Sequence, residues 1–322
     1  MSSLSRLLAA LVLTGSVLLM TPAPGYAAAT VVTTTVDVPC GTGTLHQAVD
    51  WYFPTTTSPK ALIYLQHGFS RSKSNMADLA GEYQTAGYLV FVPTLPSSNA
   101  NNCTVNNTGS NTTFLTNVAA WFGTATSSTG NLAVSYATAA TTAGRAGSTL
   151  PTTFILAGHS AGGEAVTYVA GVLATTYPAA YANLKFLQLL DPVESPSGTN
   201  MATGLTAVGG TSLPVRTVSS PPYLANGQAS GTVELTATLD RDFLGVRLTT
   251  GSHCDAEGSS TNFLCTLTAG ASKAANVTAL QTFAVAWAND AVAGTTTATY
   301  YPGGTYYQSL LTAGTIETLS GD

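Results

Sequence analysis

The run Thr153-Phe154-Ile155-Leu156-Ala157-Gly158-His159-Ser160-Ala161-Gly162-Gly163 decides how the rest of the chain is read. Thr153 to Gly158 is a short apolar run of the kind that forms a strand buried on both faces of a sheet. Ala161 to Tyr177 then has helical spacing and stops before Pro178. Between them sits G-x-S-x-G. A serine on a tight turn from strand to helix has its hydroxyl pushed out above the sheet edge, and glycines flank it because a Cβ there would collide with neighbouring backbone. The helix N-terminus behind it favours developing negative charge. Ser160 is therefore the candidate nucleophile. A plain glycine-rich turn, in a chain with 31 glycines, does not account for strand, motif and helix falling together.

Outward from this run, short apolar runs alternate with helical patterns, which predicts an α/β fold with a mostly parallel central sheet and helices on both faces. Ala61 to Gln66, Tyr88 to Pro93 and Lys185 to Leu190 predict further central strands. Thr30 to Val38 and Leu45 to Phe53 alternate in polarity and end at Cys40 and Pro54, as an antiparallel edge pair does. Lys73 to Ala86 predicts a crossover helix stopping at Gly87. Leu213 to Val218 and Phe243 to Leu248 predict two more strands, and Ala275 to Ala291 a last helix with Phe283 and Trp287 on its apolar face. Ser97 to Thr112 and Thr124 to Asn131 read as surface loops. One domain over 30–292 is expected. Residues 293–322, with four tyrosines at Tyr300, Tyr301, Tyr306 and Tyr307, read as a tail docked on it, a linker being the alternative.

Of 322 residues, 45% are hydrophobic and 8% charged, a core-forming composition and not a disordered one. Ten Lys+Arg against fifteen Asp+Glu give a formal net charge of -5, so the chain has no basic footprint for nucleic acid, and its scattered cations make no patch for a membrane surface. Residues 1–29 read as a secretory signal: Arg6, the apolar stretch Leu7 to Met20, then small residues with cleavage between Ala27 and Ala29. That stretch falls short of the roughly 20 residues that span a bilayer. A secreted, monomeric protein without an integral membrane segment is expected. Cys40, Cys103, Cys254 and Cys265 are then expected in disulfides, with three pairings open. The short loop favours Cys254 with Cys265, leaving Cys40 with Cys103. A zinc site is the rival, opposed by the lack of a C-x-x-C pair and by the wide spread of the four residues.

Strand, G-x-S-x-G and helix together resemble the α/β-hydrolase superfamily, over about Leu45 to Ala291. The resemblance implies a nucleophile, an acid and a histidine in that chain order. His46 and His67 precede Ser160, and His159 holds the elbow's variable position, where it is expected to point away from the nucleophile's partners. His253, just past the strand Phe243 to Leu248, is left as general base. A Cys254–Cys265 bridge would restrain its loop, and secreted polyester hydrolases of the superfamily are similar in stapling this loop. The run Lys185 to Leu190 delivers Asp191 to the carboxyl edge of the sheet. Leu190-Asp191-Pro192-Val193 also resembles the acid motif of chlorophyllases and pancreatic-type lipases. Asp240 and Asp242 are the alternative acids, otherwise a solvated turn around Arg241 with a weak ion pair. Glu164, one turn into the helix behind the elbow, is set aside. His67-Gly68-Phe69 resembles the superfamily's H-G-x motif, which implies that Phe69 N–H and Ala161 N–H form the oxyanion hole, with the Phe69 ring lining an acyl pocket.

What the resemblance implies is a secreted carboxylic-ester hydrolase, near the dienelactone-hydrolase-like, chlorophyllase, cutinase-like polyesterase and lipase branches, working without metal or organic cofactor. The stretch after Asp191 is short and rich in Gly, Ser, Thr and Pro, so no large cap domain is expected. An open site suits long-chain, lipid or polymeric esters better than a small metabolite. Two rivals stand beside this reading: an acyltransferase or peptidase on the same triad, and a non-catalytic binding protein on a hydrolase scaffold.

Overall fold

A computed structural model describes residues 28–321; the secretory-signal reading falls on residues outside them but for its last two positions. Nine strands form one sheet: β1 (Thr30–Cys40), β2 (Gly43–Phe53), β3 (Leu62–Gln66), β4 (Leu89–Pro93), β5 (Phe154–His159), β6 (Leu184–Leu190), β7 (Val215–Ser219), β8 (Gly245–Leu248) and β9 (Ile316–Leu319). Their order across the sheet is β1-β2-β4-β3-β5-β6-β7-β8-β9. From β4 to β8 every pairing is parallel, and β1–β2, β2–β4 and β8–β9 are antiparallel. The strands read from the sequence all form, with ends shifted by about two residues, as hydrogen-bond boundaries usually are.

The helices are α1 (Ala77–Thr85), α2 (Thr112–Gly123), α3 (Asn131–Thr142), α4 (Ala161–Thr176), α5 (Pro178–Tyr181), α6 (Asn200–Gly209), α7 (Ser230–Thr238), α8 (Phe263–Ala269), α9 (Ala274–Ala293) and α10 (Thr305–Thr312). Successive residues of each central strand face opposite sides. Leu62 and Tyr64 of β3 enter a core shared with α2, α3, α4 and α6. Ile63 and Leu65 enter a second core shared with α1, α9 and α10. A sheet covered on both sides needs apolar residues at every position, which is why these strands read as unbroken apolar runs.

The stretch between β6 and β7 holds α6, which lies against α4: a Cβ on Gly204 would come within 2.3 Å of the Thr167 carbonyl oxygen. It covers the sheet face and not the carboxyl edge. At the other end of the chain, α10 and β9 complete the sheet, with Leu248 opposite Ile316 and Gly245 opposite Leu319. The tail tyrosines are packing residues here. Tyr306 and Tyr307 lie 5.4 and 6.3 Å from Phe283, centroid to centroid, and the Trp287 indole N–H donates to the Tyr300 carbonyl. All four cysteines are paired, Cys40 with Cys103 and Cys254 with Cys265.

Candidate active site

Chain direction places Ser160, Asp191, Ser220 and His253 together, because each follows the carboxyl end of one of the neighbouring parallel strands β5 to β8. Ser160 stands between β5 and α4 with φ 57 and ψ -129, a conformation L-residues seldom hold and one that concentrates at functional sites. It is held from three sides. Its N–H donates to the Leu190 carbonyl at 3.1 Å, and its own carbonyl accepts from Gly163 N–H at 2.8 Å and Val193 N–H at 3.1 Å. The turn needs close backbone approach: a Cβ on Gly158 would sit 2.2 Å from the Gly162 oxygen. A Cβ on Gly68 would sit 2.6 Å from the Ser160 Cβ, so the loop after β3 passes directly against the serine.

Asp191 ends β6 with φ 42 and donates its N–H to the Val218 carbonyl. Its carboxylate accepts from Ser220 N–H at 2.9 Å, Ser220 Oγ at 2.5 Å and His253 Nδ1 at 2.6 Å, with Asn226 Nδ2 at 3.4 Å from both oxygens. Burial alone would push this carboxyl up, but the bonds from His253 and Ser220 outweigh it and hold it below the ordinary aspartate value. Since a carboxylate only accepts, His253 carries its proton on Nδ1. That leaves Nε2, 2.8 Å from Ser160 Oγ, to accept a hydrogen bond from the serine hydroxyl. The backbone N–H of His253 donates to the Tyr223 hydroxyl.

His159 corrects the sequence expectation. It does not point away from the nucleophile's partners: its Nε2–H donates to the His253 carbonyl at 2.8 Å, and the two rings lie 4.6 Å apart. The β5 register turns its side chain toward the loop that β8 delivers, a relation between strands far apart in sequence. Burial, reinforced by His253, pushes its pKa down to about 3, so it is a neutral donor. His67, buried and pushed down to about 4, fixes the neighbouring loop. It donates from Nδ1 to the Gly68 carbonyl at 2.7 Å and accepts from Leu95 N–H at Nε2. Neither Phe69 N–H nor Ala161 N–H has a hydrogen-bond partner among the described residues, and both adjoin Ser160.

Asp240 and Asp242 are not part of this group. Both are exposed and precede β8, at the amino edge of the sheet opposite Ser160. The weak ion pair that the alternative reading placed in this turn is not formed among the described residues either; Arg241 donates to the Leu213 and Thr211 carbonyls. Sequence reasoning overlooked Ser220, Asn226, Tyr223 and the pair Arg71–Glu257. The Arg71 guanidinium donates from Nε and Nη2 to the two oxygens of fully buried Glu257 at 2.6 and 2.5 Å, tying the Phe69 loop to the segment after His253. The cleft between them has a volume of about 390 Å³ and reaches Ser160 past Phe69, Ala225 and Leu264.

No protein-family model matches the chain, and no curated protein sequence does. Among solved structures it is similar to the esterase domain of a Rhodothermus marinus protein, with 16% identity, a TM-score of 0.48, and coverage of 82% of this chain and 100% of that one. The mostly parallel sheet, the strand–serine–helix elbow and the chain order Ser160, Asp191, His253 at its carboxyl edge give the protein the α/β-hydrolase fold.

Proposed function

We propose that this chain is a carboxylic-ester hydrolase acting through an acyl-enzyme. The observation that carries the reading is the continuous line of hydrogen bonds from Ser160 Oγ to His253 Nε2 at 2.8 Å and from His253 Nδ1 to Asp191 at 2.6 Å. As Ser160 Oγ attacks the ester carbonyl carbon, His253 Nε2 takes its proton, and Asp191 holds the ring and stabilises the imidazolium. The carbonyl oxygen, now an oxyanion, accepts from Phe69 N–H and Ala161 N–H, two free donors on loops already fixed by His67 and by the start of α4. His253 then gives the proton to the departing alkoxide. Water, deprotonated by the same nitrogen, attacks the acyl carbon and restores Ser160.

An exported protein fits the two disulfides, which persist in oxidising compartments. The open cleft favours esterase, lipase or polyesterase activity over enclosed metabolite chemistry. The test is turnover of p-nitrophenyl esters of rising acyl length by the purified protein, with Ser160→Ala and His253→Ala beside it. Both variants are expected to lose about 10⁴-fold or more in kcat while keeping their circular dichroism spectrum. Turnover that survives in either variant, or none in the unmodified protein at any length, overturns the reading.

A further inference from the structure

Helix α8 is apolar on the wrong side. It buries only Cys265 and Ala269, against Cys254, Tyr223 and Ala225, while Phe263, Leu264 and Leu267 stand 78%, 52% and 67% exposed. Leu224, on the short helical turn facing α8, is 88% exposed, and Phe69 across the cleft is 55% exposed. Nine large hydrophobic residues are exposed among the described residues; four lie on four different elements, β1, α3, α7 and α10, whereas Phe69 and Leu264 line the Ser160 cleft and Phe263, Leu267 and Leu224 stand beside it on α8 and the turn facing α8. Single exposed apolar residues are ordinary, but a contiguous group marks a surface that meets another apolar phase.

The group is also held in place. The Cys254–Cys265 bridge anchors α8 to the segment carrying His253, and Arg71 Nη1 donates to the side chain of Asn262, which caps the helix. The charged residues lining the cleft are Arg71 and Glu257, and they neutralise each other. A surface that recognises anionic headgroups carries unpaired Lys or Arg, and this one carries none at the cleft mouth. Side chains as free of the protein as Leu224 and Phe263 need a phase they can sink into, which a fluid acyl layer provides and a rigid surface does not.

We propose that Leu224, Phe263 and Leu267, with Phe69 and Leu264 at the cleft edge, are the surface by which the protein adsorbs to a neutral lipid phase, so that its substrate is an acyl ester presented at an oil–water interface. This rests on the ester-hydrolase reading of Ser160. Adsorption delivers the ester carbonyl to the one edge of the sheet where Ser160, Phe69 N–H and Ala161 N–H meet.

The test compares the purified protein with the triple variant Leu224→Ser/Phe263→Ser/Leu267→Ser, none of whose positions lines the cleft. Binding is measured by sedimentation with phosphatidylcholine vesicles, and turnover on a trioctanoin emulsion and on dissolved p-nitrophenyl acetate. The expected result is a fall of about tenfold or more in vesicle binding and emulsion turnover, with turnover of the dissolved ester within about twofold, which also reports an intact fold. Failure of the unmodified protein to bind vesicles, or equal binding by the variant, overturns the proposal. So does adsorption to a polycaprolactone film but not to vesicles, or a dimer in solution that the triple variant dissolves. If Ser160→Ala hydrolyses dissolved ester as well as the unmodified protein, the hydrolase reading falls, and vesicle binding still reports on the surface by itself.

Discussion

Two carboxylates are buried within reach of the elbow, and the fold drives them in opposite directions. Asp191 is 3% exposed and Glu164 1% exposed. Asp191 accepts from the Ser220 N–H and hydroxyl and from the His253 ring, and it is held low. Glu164 accepts from the Ser195 hydroxyl, with the Ser195 and Asn107 backbone N–H groups acting more weakly on it; its Oε1 has no partner among the described residues, and burial pushes its pKa up to about 7. Equal burial thus leaves one carboxyl low and the other raised, because the bonds and the charge that face each carboxylate, His253 and Ser220 at Asp191 against weaker donors and Glu194 at Glu164, decide whether the cost of desolvation is met. The proposed role of Asp191, holding an imidazolium, requires an acid that stays ionised, and its donors keep it so.

The sharpest break in this comparison is Asp191→Asn. The amide donates where the carboxylate accepted, forcing His253 into the tautomer that cannot take the serine proton, and kcat for p-nitrophenyl esters is expected to fall by about 10⁴. Glu164→Gln is expected to leave kcat within about twofold. Equal losses in both variants would erase the distinction drawn between the two acids.

Glu164 shows itself in stability instead. Between the ordinary glutamate value and about 7 the folded chain keeps a proton that the unfolded chain has shed, so stability falls as pH rises through that window. The loss is on the order of 3 kcal/mol. Asp191 works with the other sign: its contribution is present above the ordinary aspartate value and disappears as pH falls through the lowered folded value. Urea denaturation at pH 5 and pH 8 should show the unmodified protein losing stability relative to Glu164→Gln across that interval. A constant difference between the two proteins would mean that Glu164 is ionised throughout.

Ser220→Ala is a smaller change on the Asp191 side. It keeps the backbone N–H bond and removes the hydroxyl bond to a charged acceptor, so kcat is expected to drop about tenfold, with Asp191 titrating at higher pH. An unchanged acid limb of the pH–rate profile would show that the hydroxyl does nothing for the charge.

How much of this could be read from sequence follows from the range of each relation. Ser160 was legible because strand, turn and helix are local, and Asp191 because a strand end is a local feature with a known side of the sheet. Ser220 was not. In Ser219-Ser220-Pro221-Pro222 it reads as loop punctuation, and its partner Asp191 is brought to it only by the pairing of β6 with β7. His159 was misdirected for the same reason, since its orientation depends on where β8 sets down His253. Helices α2 and α3 went unread because Thr, Ala, Asn and Ser interrupt their apolar spacing; Trp121, Phe122 and Tyr136 nevertheless face the core. Strand β9, with only Ile316 and Leu319 buried, is too short to signal alone and forms because β8 offers it an edge.

Ser195→Ala is the mildest of these changes and tests the account of Glu164 most directly. The Ser195 hydroxyl accepts from Asn107 N–H at 3.0 Å and donates to Glu164 Oε2, so its removal takes the acceptor from a buried N–H and the side-chain donor from the carboxyl and costs about 1–2 kcal/mol. It also removes a donor that opposes the effect of burial on Glu164. The carboxyl should therefore titrate above about 7, and the decline of stability with pH, which begins at the ordinary glutamate value in both proteins, should extend to more alkaline pH than in the unmodified protein. A decline that ends at lower pH would mean that Ser195 had been holding Glu164 protonated by accepting its proton. The single hydrogen bond would then act in the reverse sense, and the contrast with Asp191 would rest on the His253 and Ser220 donors around Asp191.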